Sequence, residues 1–429
     1  MEKLNEDFII NLSNNKGEPL WMKNFRLNSY KKFLELDNPS FGPKINIDFD
    51  NLVYHKGLFA PPSCSWENVD KKVKNTFNDL GVIDAENKYL KGVSNQYESE
   101  VVYHKMEESD GIIFLSTDEA LKKYPELFEK YFNNLVKYDE NKYTALNGAL
   151  WSGGSFIYIP PYTKVDRPLQ SYFRIDTKNL GQFERTIIIV DHDSSLHYIE
   201  GCTAKNYSTT SLHAGVVEIY VGKNSTCKYS TIQNWSKDVY NLVTKRAILE
   251  KGAYMQWVDG NIGSGVTMKY PSCILKGDNS KASSISIAYA KEGQHLDAGA
   301  KMIHLGKNTK STIISKSIAG FGGTSDYRGT VKIAKDATGS FATIKCDNII
   351  LDNISSSNTY PKNIVENNES TLEHEATISK INEEKLNYLM SLGISEDAAK
   401  DLYVLGFMSD FKKSLPMEYA VELNRLIKE

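Results

Sequence analysis

A thiol and a group of metal-binding side chains stand near the end of the sequence. Cys346 lies in the segment Lys345–Asn348, and Glu373, His374 and Glu375 follow, Glu375 being 29 residues after the cysteine. Thiolate, imidazole and carboxylate groups bind transition metals, and this mixture suits iron or zinc better than magnesium or calcium. Because a structural site usually has four close ligands, a metal bound here is expected to need a further ligand from elsewhere.

Composition and charge indicate a globular protein without a nucleic-acid partner. The 429 residues are 41% hydrophobic and 24% charged, and the net charge is −3, so no basic footprint points to DNA or RNA. The five cysteines are widely spaced and form no Cys-x-x-Cys pair, as expected of reduced thiols. No signal peptide or membrane span is evident. We expect no membrane partner and a cytoplasmic location, or an organelle stroma or matrix if the source is a plastid-bearing eukaryote.

Six polar breaks recur at a nearly fixed spacing in the second half of the chain. They begin at Asp191, Gly222, Glu250, Gly277, Gly306 and Lys335, which lie 31, 28, 27, 29 and 29 residues apart. Apolar or alternating segments precede nearly every break, so the period predicts a stack of strand repeats, that is, a parallel β-helix or solenoid. A β-sandwich, with turns every 8–12 residues and no longer period, is the second interpretation.

The pattern divides the chain into three parts. We predict an N-terminal mixed α/β region at 1–150, a β-helix core at 151–375 and a C-terminal helical domain at 376–429. In the first part, one helix is expected after Pro19 and another from Thr117. In the last part, Pro416 fits the first turn of a final helix. The fold class is therefore mainly β, with helices at both ends.

Strand alternation places several polar residues on apolar faces of the predicted core. Lys245 shares a face with Val243 and Ala247, Gln233 shares one with Trp235, and Arg174 shares one with Asp176. A buried ammonium is costly unless it is paired or hydrated, so these residues could line a polar passage inside a solenoid. Alternatively, the strand faces are shifted by one residue, or Lys245 extends to an open end.

The core motifs have two further implications. The 29 residues that separate Cys346 from Glu375 equal about one repeat, and one repeat returns the chain to a neighbouring coil, although sequence spacing alone does not establish proximity. A P-loop, His-Glu-x-x-His, Gly-x-Ser-x-Gly and a Rossmann fingerprint are absent from the sequence. We therefore expect no ATP binding through a P-loop.

The sequence resembles the SufB branch of the SufB/SufD family, the scaffold subunits of the SUF iron–sulfur cluster assembly machinery. The matching segments run in order from about residue 19 to the C-terminus and are Trp21–Leu27, Ala60–Ser63, Trp151–Gly154, Gly181–Thr186, Glu200–Ala204, Tyr229–Trp235, Lys269–Cys273, Lys301–His304, Lys310–Lys316, Tyr327–Gly329 and Leu372–Ala376. The resemblance implies a right-handed parallel β-helix with a helical C-terminal domain.

The resemblance also implies partners. The ATPase SufC would dock on the C-terminal helices and would carry the ATP hydrolysis, so that this chain is not itself an enzyme. SufD or a second SufB would pair through the β-helix, a cysteine desulfurase or sulfur carrier would supply persulfide, and acceptor apoproteins would receive the cluster. Reduced flavin is associated with the family's complex, but no residue in this sequence locates it.

The site residues follow from the family motifs. Cys346 and Glu375, with Glu373 and His374 beside them, would hold a transient iron–sulfur cluster that a histidine of SufD helps to complete. Persulfide sulfur would enter at Cys202. The residues implied along its passage to Cys346 are Arg174, Asp176, Gln233, Trp235 and Lys245, a cationic lining that suits an anionic persulfide. Asp176 departs from the asparagine common in the family, which leaves its role open.

Two other functions remain as alternatives. A purely structural SufD-like subunit would need neither Cys346 nor Glu375. A β-helix carbohydrate-active enzyme would use paired carboxylates, but such enzymes are mostly secreted. The sequence leaves open whether the assembly is a SufB–SufD heteromer or a SufB homodimer.

Overall fold

Strands of successive repeats pair in parallel and build two long sheets. The computed structural model describes residues 3–409 except 58, 81–82, 84–85, 87–88, 108–110 and 206–209. One sheet has ten strands in the order β2-β1-β5-β8-β11-β13-β16-β18-β20-β22. The other has twelve, with β21-β19-β17-β14-β12-β10-β7-β4-β3 as its main path and β6, β9 and β15 beside it. Together they form a β-solenoid of about eight coils.

The strands have the following bounds: β1 (Gly92–Tyr97), β2 (Glu100–Met106), β3 (Ile113–Ser116), β4 (Ser155–Ile159), β5 (Leu169–Ile175), β6 (Gly181–Gln182), β7 (Arg185–Val190), β8 (Ser195–Ala204), β9 (Ser211–His213), β10 (Val216–Val221), β11 (Thr226–Asn234), β12 (Val239–Leu249), β13 (Tyr254–Asn261), β14 (Val266–Lys269), β15 (Ser272–Leu275), β16 (Lys281–Ala290), β17 (His295–His304), β18 (Lys310–Ala319), β19 (Thr324–Ile333), β20 (Phe341–Ile350), β21 (Ser356–Val365) and β22 (Thr371–Lys380).

All six predicted breaks are turns that carry the chain from the twelve-stranded sheet to the ten-stranded sheet. Five of them contain a residue in the left-handed region, at Asp193, Asn224, Gly252, Asn279 and Asn308. Glycine, asparagine and aspartate tolerate this conformation better than other residues do, which explains why the breaks are visible in the sequence. The parallel β-helix is thereby confirmed, and the β-sandwich is wrong.

The helices pack against the outer faces of the two sheets. Their bounds are α1 (Glu6–Lys16), α2 (Leu20–Glu35), α3 (Lys71–Asp79), α4 (Thr117–Lys123), α5 (Pro125–Tyr131), α6 (Lys142–Leu150), α7 (Glu383–Ser391) and α8 (Glu396–Phe407). The helices predicted after Pro19 and from Thr117 are confirmed as α2 and α4. Within the described ranges, no helix combines the length and the apolar character that crossing a membrane requires.

Two cores lie on opposite faces of the ten-stranded sheet. Its inner face, toward the twelve-stranded sheet, packs residues such as Leu196, Cys227 and Trp257. Its outer face packs Ile318 and other apolar side chains against Val404 and its neighbours on α7 and α8. Because side chains alternate between the faces of a strand, this division tells which polar residues point into the solenoid.

The borders of the three parts are not marked by breaks in the sheets. Strands β1 and β2 belong to the ten-stranded sheet and β3 to the twelve-stranded sheet, although all three precede residue 150. Strand β22 continues past residue 375 to Lys380 before α7 begins. The helix predicted from Pro416 lies outside the described residues, and the three-part division stays a prediction.

A fully buried ion pair anchors the N-terminal region to the twelve-stranded sheet. Arg185 at the start of β7 lies 2.8 Å from Glu218 of β10, and both side chains are 0% exposed. The Glu218 carboxylate also accepts the backbone N–H groups of Leu135 and Val136, in the segment that precedes α6. The Glu218 carboxylate therefore both neutralises the buried Arg185 and accepts the backbone hydrogen bonds of the segment before α6.

We predict that Glu218→Gln lowers the free energy of unfolding by about 3 kcal/mol, because Arg185 would remain buried without its counter-ion. Glu250→Gln is the control: its pair with Lys276 spans 2.9 Å but is about half exposed, and its loss should cost less than about 1 kcal/mol. Denaturant unfolding measures both. Equal losses for the two variants would contradict the anchoring role of Glu218.

Candidate functional site

Cys202 is a buried thiol on the inner face of β8. It is 1% exposed and lies in register with Phe173 of β5 and Gln233 of β11. Its Sγ donates to Oε1 of Glu200 over 3.8 Å. Burial raises the pKa of this thiol well above its usual value, and the carboxylate of Glu200 adds to the effect. At neutral pH Cys202 is therefore a thiol rather than a thiolate.

Two buried lysines and two buried carboxylates alternate in a chain of contacts that begins at Glu200, next to Cys202. Lys245 Nζ lies 3.4 Å from Glu200 and 3.9 Å from Asp259, and Lys269 Nζ lies 2.8 Å from the same Asp259. All four side chains are at most 2% exposed. Burial opposes the charge of Lys245, yet Glu200 and Asp259 outweigh it and raise the pKa of the ammonium. Burial lowers the pKa of Lys269, which Asp259 offsets only in part.

A second branch leads from Lys269 to a histidine. Lys269 Nζ and Asn241 Nδ2 both donate to Oε1 of Gln233, over 3.1 and 2.7 Å. His213 Nδ1 faces Asn241 Oδ1 at 2.8 Å, and its Nε2 faces Glu184 Oε1 at 2.6 Å. Because both ring nitrogens face acceptors, His213 must donate from both, which only the imidazolium can do. Burial disfavours this charge, but Glu184 prevails and raises the pKa of His213.

One register position links this network to Cys346 through six strands of the ten-stranded sheet. The residues at this position are Glu200, Thr231, Asp259, Ser286, Ser315 and Cys346. Since neighbouring strands lie about 4.8 Å apart, the five steps span roughly 24 Å. Beyond Asp259, the series continues with the small residues Ser286 and Ser315, and Ala298 and Ala300 lie on the inner face of the other sheet. Larger apolar side chains, among them Ile313, Tyr327 and Ile344, stand beside them, so the interior is polar near Cys202 and more apolar near Cys346.

Several buried polar atoms along this interior lack a hydrogen-bonding partner within the described residues. They are Thr231 Oγ1, Gln233 Nε2, Asp259 Oδ2, Asn261 Oδ1, Ser284 Oγ, Ser325 Oγ and Asn348 Oδ1. Buried polar groups in proteins are nearly always hydrogen-bonded, to protein or to ordered water. These atoms therefore favour a hydrated interior that can accept polar species.

Cys346 closes this series on the inner face of β20. It is 0% exposed and lies next to the hydroxyl of Tyr327 on β19. Burial raises the pKa of the Cys346 thiol to about 12, and the Tyr327 hydroxyl works in the opposite direction. Cys346 thus faces the interior of the solenoid, on the strand next to the edge strand β22.

The predicted companions of Cys346 lie on β22 but do not all share its face. Cys346 pairs with Ala376, and Lys345 pairs with Glu375. Residues at the same register position of β20 and β22 are therefore 30 apart in sequence. Glu375 is only 29 residues after Cys346, and since successive side chains on a strand point to opposite faces, Glu375 points to the outer face. Glu375 is 65% exposed and lies 3.7 Å from Lys345.

Glu373 is likewise exposed on the outer face, whereas His374 faces the same side as Cys346. His374 Nδ1 lies 3.1 Å from Asn363 Nδ2, and its buried Nε2 has no partner within the described residues. Burial lowers the pKa of His374, which keeps the imidazole neutral and able to bind a metal. In the described part of the chain, no three potential ligands are gathered into one metal site.

The structure places the predicted passage residues in two groups. Gln233 and Lys245 point into the solenoid, and Trp235 packs with Cys202 and against the ring of His213 at 4.6 Å. Arg174 and Asp176 face the same way and contact each other over 3.1 Å. However, Arg174 follows the inward-facing Phe173 and bonds Thr203, so this pair lies on the outer side of the sheet.

Sequence reasoning missed the two interior carboxylates. The passage was expected to have a cationic lining, but Glu200 and Asp259 balance Lys245 and Lys269. The signal was present: in β13, Asp259 shares the face of Met255 and Trp257, both 0% exposed. A buried lysine should itself have prompted a search for buried acids, because an unpaired buried charge is costly.

Comparison with known proteins gives two family matches that together span most of the chain. Residues 173–407 match the model described as SUF system FeS cluster assembly, SufBD core domain. Residues 69–171 match the SufBD protein N-terminal region.

Similar curated proteins come from bacteria. The iron–sulfur cluster assembly protein SufB of Bacillus subtilis is 52% identical over 429 residues, covering 99% of this chain and 92% of the relative. Iron–sulfur cluster assembly SufBD family proteins of Staphylococcus saprophyticus and Staphylococcus aureus are each 54% identical with the same coverage.

The pKa of His213 generates a prediction with a definite sign. A folded pKa above the unfolded value of about 6.5 stabilises the fold fully below pH 6.5, and this stabilisation is lost as the pH rises through the folded pKa. The difference in unfolding free energy between wild type and His213→Gln should therefore be largest below pH 6.5 and should decline as the pH rises through the folded pKa of His213.

His197→Gln is the control of opposite sign, because burial lowers the pKa of His197 to about 4. The stabilisation that His197 provides should be present above pH 6.5 and should shrink as the pH falls toward 4. Denaturant unfolding between pH 4 and 9 measures both differences. A His213 difference that grows with pH would mean that the ring is neutral in the fold.

Proposed function

The chain belongs to the SufBD family of iron–sulfur cluster assembly proteins, and from this premise we propose that it is a SufB-type scaffold. In this role it receives persulfide sulfur and iron, assembles a labile cluster and transfers that cluster to acceptor apoproteins. The cluster is cargo, so the chain turns over no small substrate of its own. ATP hydrolysis belongs to the partner SufC in this proposal, and we make no assignment for reduced flavin.

One observation carries the proposal: Cys202 and Cys346 both point into the solenoid from the same sheet. Both thiols lie on the inner face of the ten-stranded sheet, and Gln233, Lys245 and Asp259 stand near the Cys202 end. Sulfur delivered as persulfide would be accepted at Cys202 and would move along this interior to Cys346. Arg174 and Asp176 lie on the outer side of the sheet, where Arg174 contacts Thr203, the residue after Cys202, so we propose that they help to receive the persulfide donor.

The cluster would form at the exposed end of the solenoid. We propose Cys346 as its thiolate ligand, Glu375 as a carboxylate ligand, and His374 and Glu373 as neighbours that assist. Because Cys346 and Glu375 lie on opposite faces of the sheet, joint ligation requires the edge strand β22 to shift. An incomplete protein shell suits a scaffold, since a fully ligated cluster would not leave.

The surfaces at this end of the molecule support two partners. Tyr388, Leu392 and Leu402 on or next to α7 and α8 are 65%, 62% and 48% exposed, which favours an apolar docking surface for SufC. Strands β21 and β22 end their sheets, and Val365 and Ile378 there are 42% and 50% exposed. We propose that SufD or a second copy of this chain covers these edges. A cytoplasmic setting, with a cysteine desulfurase as sulfur donor, completes the proposal.

Cys346→Ser tests the ligand assignment. A serine hydroxyl hardly ionises at neutral pH and is a poor iron ligand, so anaerobic reconstitution with SufC and SufD should leave at least about tenfold less iron and sulfide bound. Cys227→Ser is the matched control, because Cys227 is equally buried on the inner face and belongs to the same apolar core as Cys346, but it lies on β11, away from the edge strand β22 that carries the other proposed ligands. It should cost only the ~1–3 kcal/mol of burying a hydroxyl. Similar cluster loss in both folded variants would refute the assignment.

Changes on the helices test the docking of SufC. The double change Leu392→Glu and Leu402→Glu places charges in the proposed apolar contact and should weaken SufC binding at least about 100-fold. Leu34→Glu is the control, since Leu34 of α2 is 63% exposed and lies on the N-terminal region. Isothermal titration calorimetry with purified SufC gives the dissociation constants. Unchanged affinity of the double variant would rule out this surface.

A further inference from the structure

The carboxylate of Glu200 is held between three hydrogen-bond donors. Its Oε1 accepts from the Cys202 thiol at 3.8 Å and from Lys245 Nζ at 3.4 Å, and its Oε2 accepts from the hydroxyl of Tyr229. Lys245 also lies 4.4 Å from the centre of the Tyr229 ring. Glu200 is 1% exposed, so its position is determined by these contacts and not by solvent.

Cys202 needs a proton acceptor if it is to react. The thiolate is the nucleophile in thiol chemistry, and Cys202 is buried next to a carboxylate, a combination that favours the protonated thiol. A general base must lie within hydrogen-bond reach of the proton that it removes. Among the described residues, the Glu200 carboxylate is the acceptor in contact with this thiol.

We propose that Glu200 is the proton acceptor that activates Cys202 toward a persulfide donor, with Lys245 and Tyr229 as the residues that position it. The proposal rests on the proposed function, because it assumes that Cys202 receives sulfur. It assigns chemistry to a residue that the passage described above does not use.

The step balances without a further reactant. For a donor R–S–SH, the Cys202 sulfur forms a bond to the terminal sulfur, and the donor's S–S bond breaks. The donor leaves as R–S⁻, Cys202 becomes Cys–S–SH, and the Cys202 proton moves to Glu200. Glu200 then returns that proton to the leaving thiolate, so no net oxidation occurs and the carboxylate is regenerated.

The other charged groups around this site act on the same equilibrium. Tyr198 lies on β8 with Glu200 and Cys202, Lys269 lies on β14, Asp259 lies on β13, and Glu184 precedes β7. The two lysines favour the thiolate, and Glu184 disfavours it. Tyr198, Lys269, Asp259 and Glu184 act on Glu200 and Cys202 less directly than Lys245 and Tyr229 do. They therefore adjust the proton transfer without accepting the proton themselves.

The test measures persulfide formation at Cys202 in the full chain. The chain is reduced, exposed anaerobically to a sodium disulfide solution, which supplies HS–SH as a small donor, and alkylated at timed intervals. Peptide mass spectrometry then gives the fraction of Cys202 that carries an extra sulfur. Rates are compared between pH 6 and pH 9, with circular dichroism to establish that each variant is folded.

Glu200→Gln should react about 100-fold more slowly than wild type at pH 7, the usual minimum for loss of a general base. Its rate relative to wild type should rise about tenfold per pH unit, because solvent hydroxide must then remove the proton. Glu200→Asp keeps a carboxylate and should retain the wild-type pH profile at a reduced rate, which also covers the case in which the glutamine variant does not fold.

Two further variants separate the proposal from its rivals. Asp326→Asn is the matched control, because Asp326 is a carboxylate with 5% exposure that is bonded to His295 outside this network, and it should react like wild type. Tyr229→Phe removes a hydrogen bond that positions Glu200 and should slow the reaction several-fold at pH 7, while the wild-type pH profile is kept because the carboxylate remains. A loss in Tyr229→Phe as deep as in Glu200→Gln would make the tyrosine the acceptor and overturn the proposal.

The outcomes for Glu200 and for the proposed function are distinguishable. If wild type forms no persulfide at Cys202, the assignment of Cys202 as sulfur acceptor fails and the role of Glu200 falls with it. If wild type reacts but Glu200→Gln does not show the rate and pH profile stated for it, only the role of Glu200 is overturned. Where the glutamine variant is unfolded, Glu200→Asp is judged in the same way.

Discussion

The interior of this solenoid depends on the pairing of charges that water cannot reach. Lys245 and Lys269 are each 1% exposed, and an unpaired ammonium so deeply buried would be strongly destabilising. Glu200 and Asp259 make the group neutral as a whole, with N–O distances of 2.8 to 3.9 Å. Because the four charges balance and are hydrogen-bonded, each side chain can stay ionised although it is buried. The carboxylate of Glu200 can therefore act on the Cys202 thiol beside it.

The parallel β-helix makes this arrangement possible with few residues. Each coil places one residue at the same register position of the sheet, so residues far apart in sequence become a continuous series about 4.8 Å apart. Glu200 and Cys346 occupy one such series, and Cys202 occupies the next inward position on the same strand. The coils thus supply distance between the two thiols, while small side chains such as Ser286 and Ser315 supply room.

Much of the fold could be predicted because its turns need special residues, whereas the site depended on register. The six turns stood out through asparagine, aspartate and glycine, and alternation correctly placed Lys245 inside. Arg174 was placed wrongly because only its shared face with Asp176 was considered: in β5 the apolar face is formed by Phe173 and its alternate neighbours, and Arg174 lies on the opposite face. For Glu375, an error of one residue in the coil length was enough to reverse the side chain. Short elements such as α3 and the hairpin β1–β2 left too little pattern to be recognised.

The central claim is that sulfur reaches Cys346 through the interior, and blocking the interior halfway tests it most directly. Ser286→Leu fills the inner face between Asp259 and Ser315, and Ser283→Leu changes the outer face of the same strand. After ³⁴S-persulfide is supplied by a cysteine desulfurase, thiol trapping and mass spectrometry follow the label at both cysteines. The account predicts that Ser286→Leu labels Cys202 normally but Cys346 at least about tenfold more slowly, with Ser283→Leu like wild type. Labelling of Cys346 at the wild-type rate in folded Ser286→Leu would contradict it.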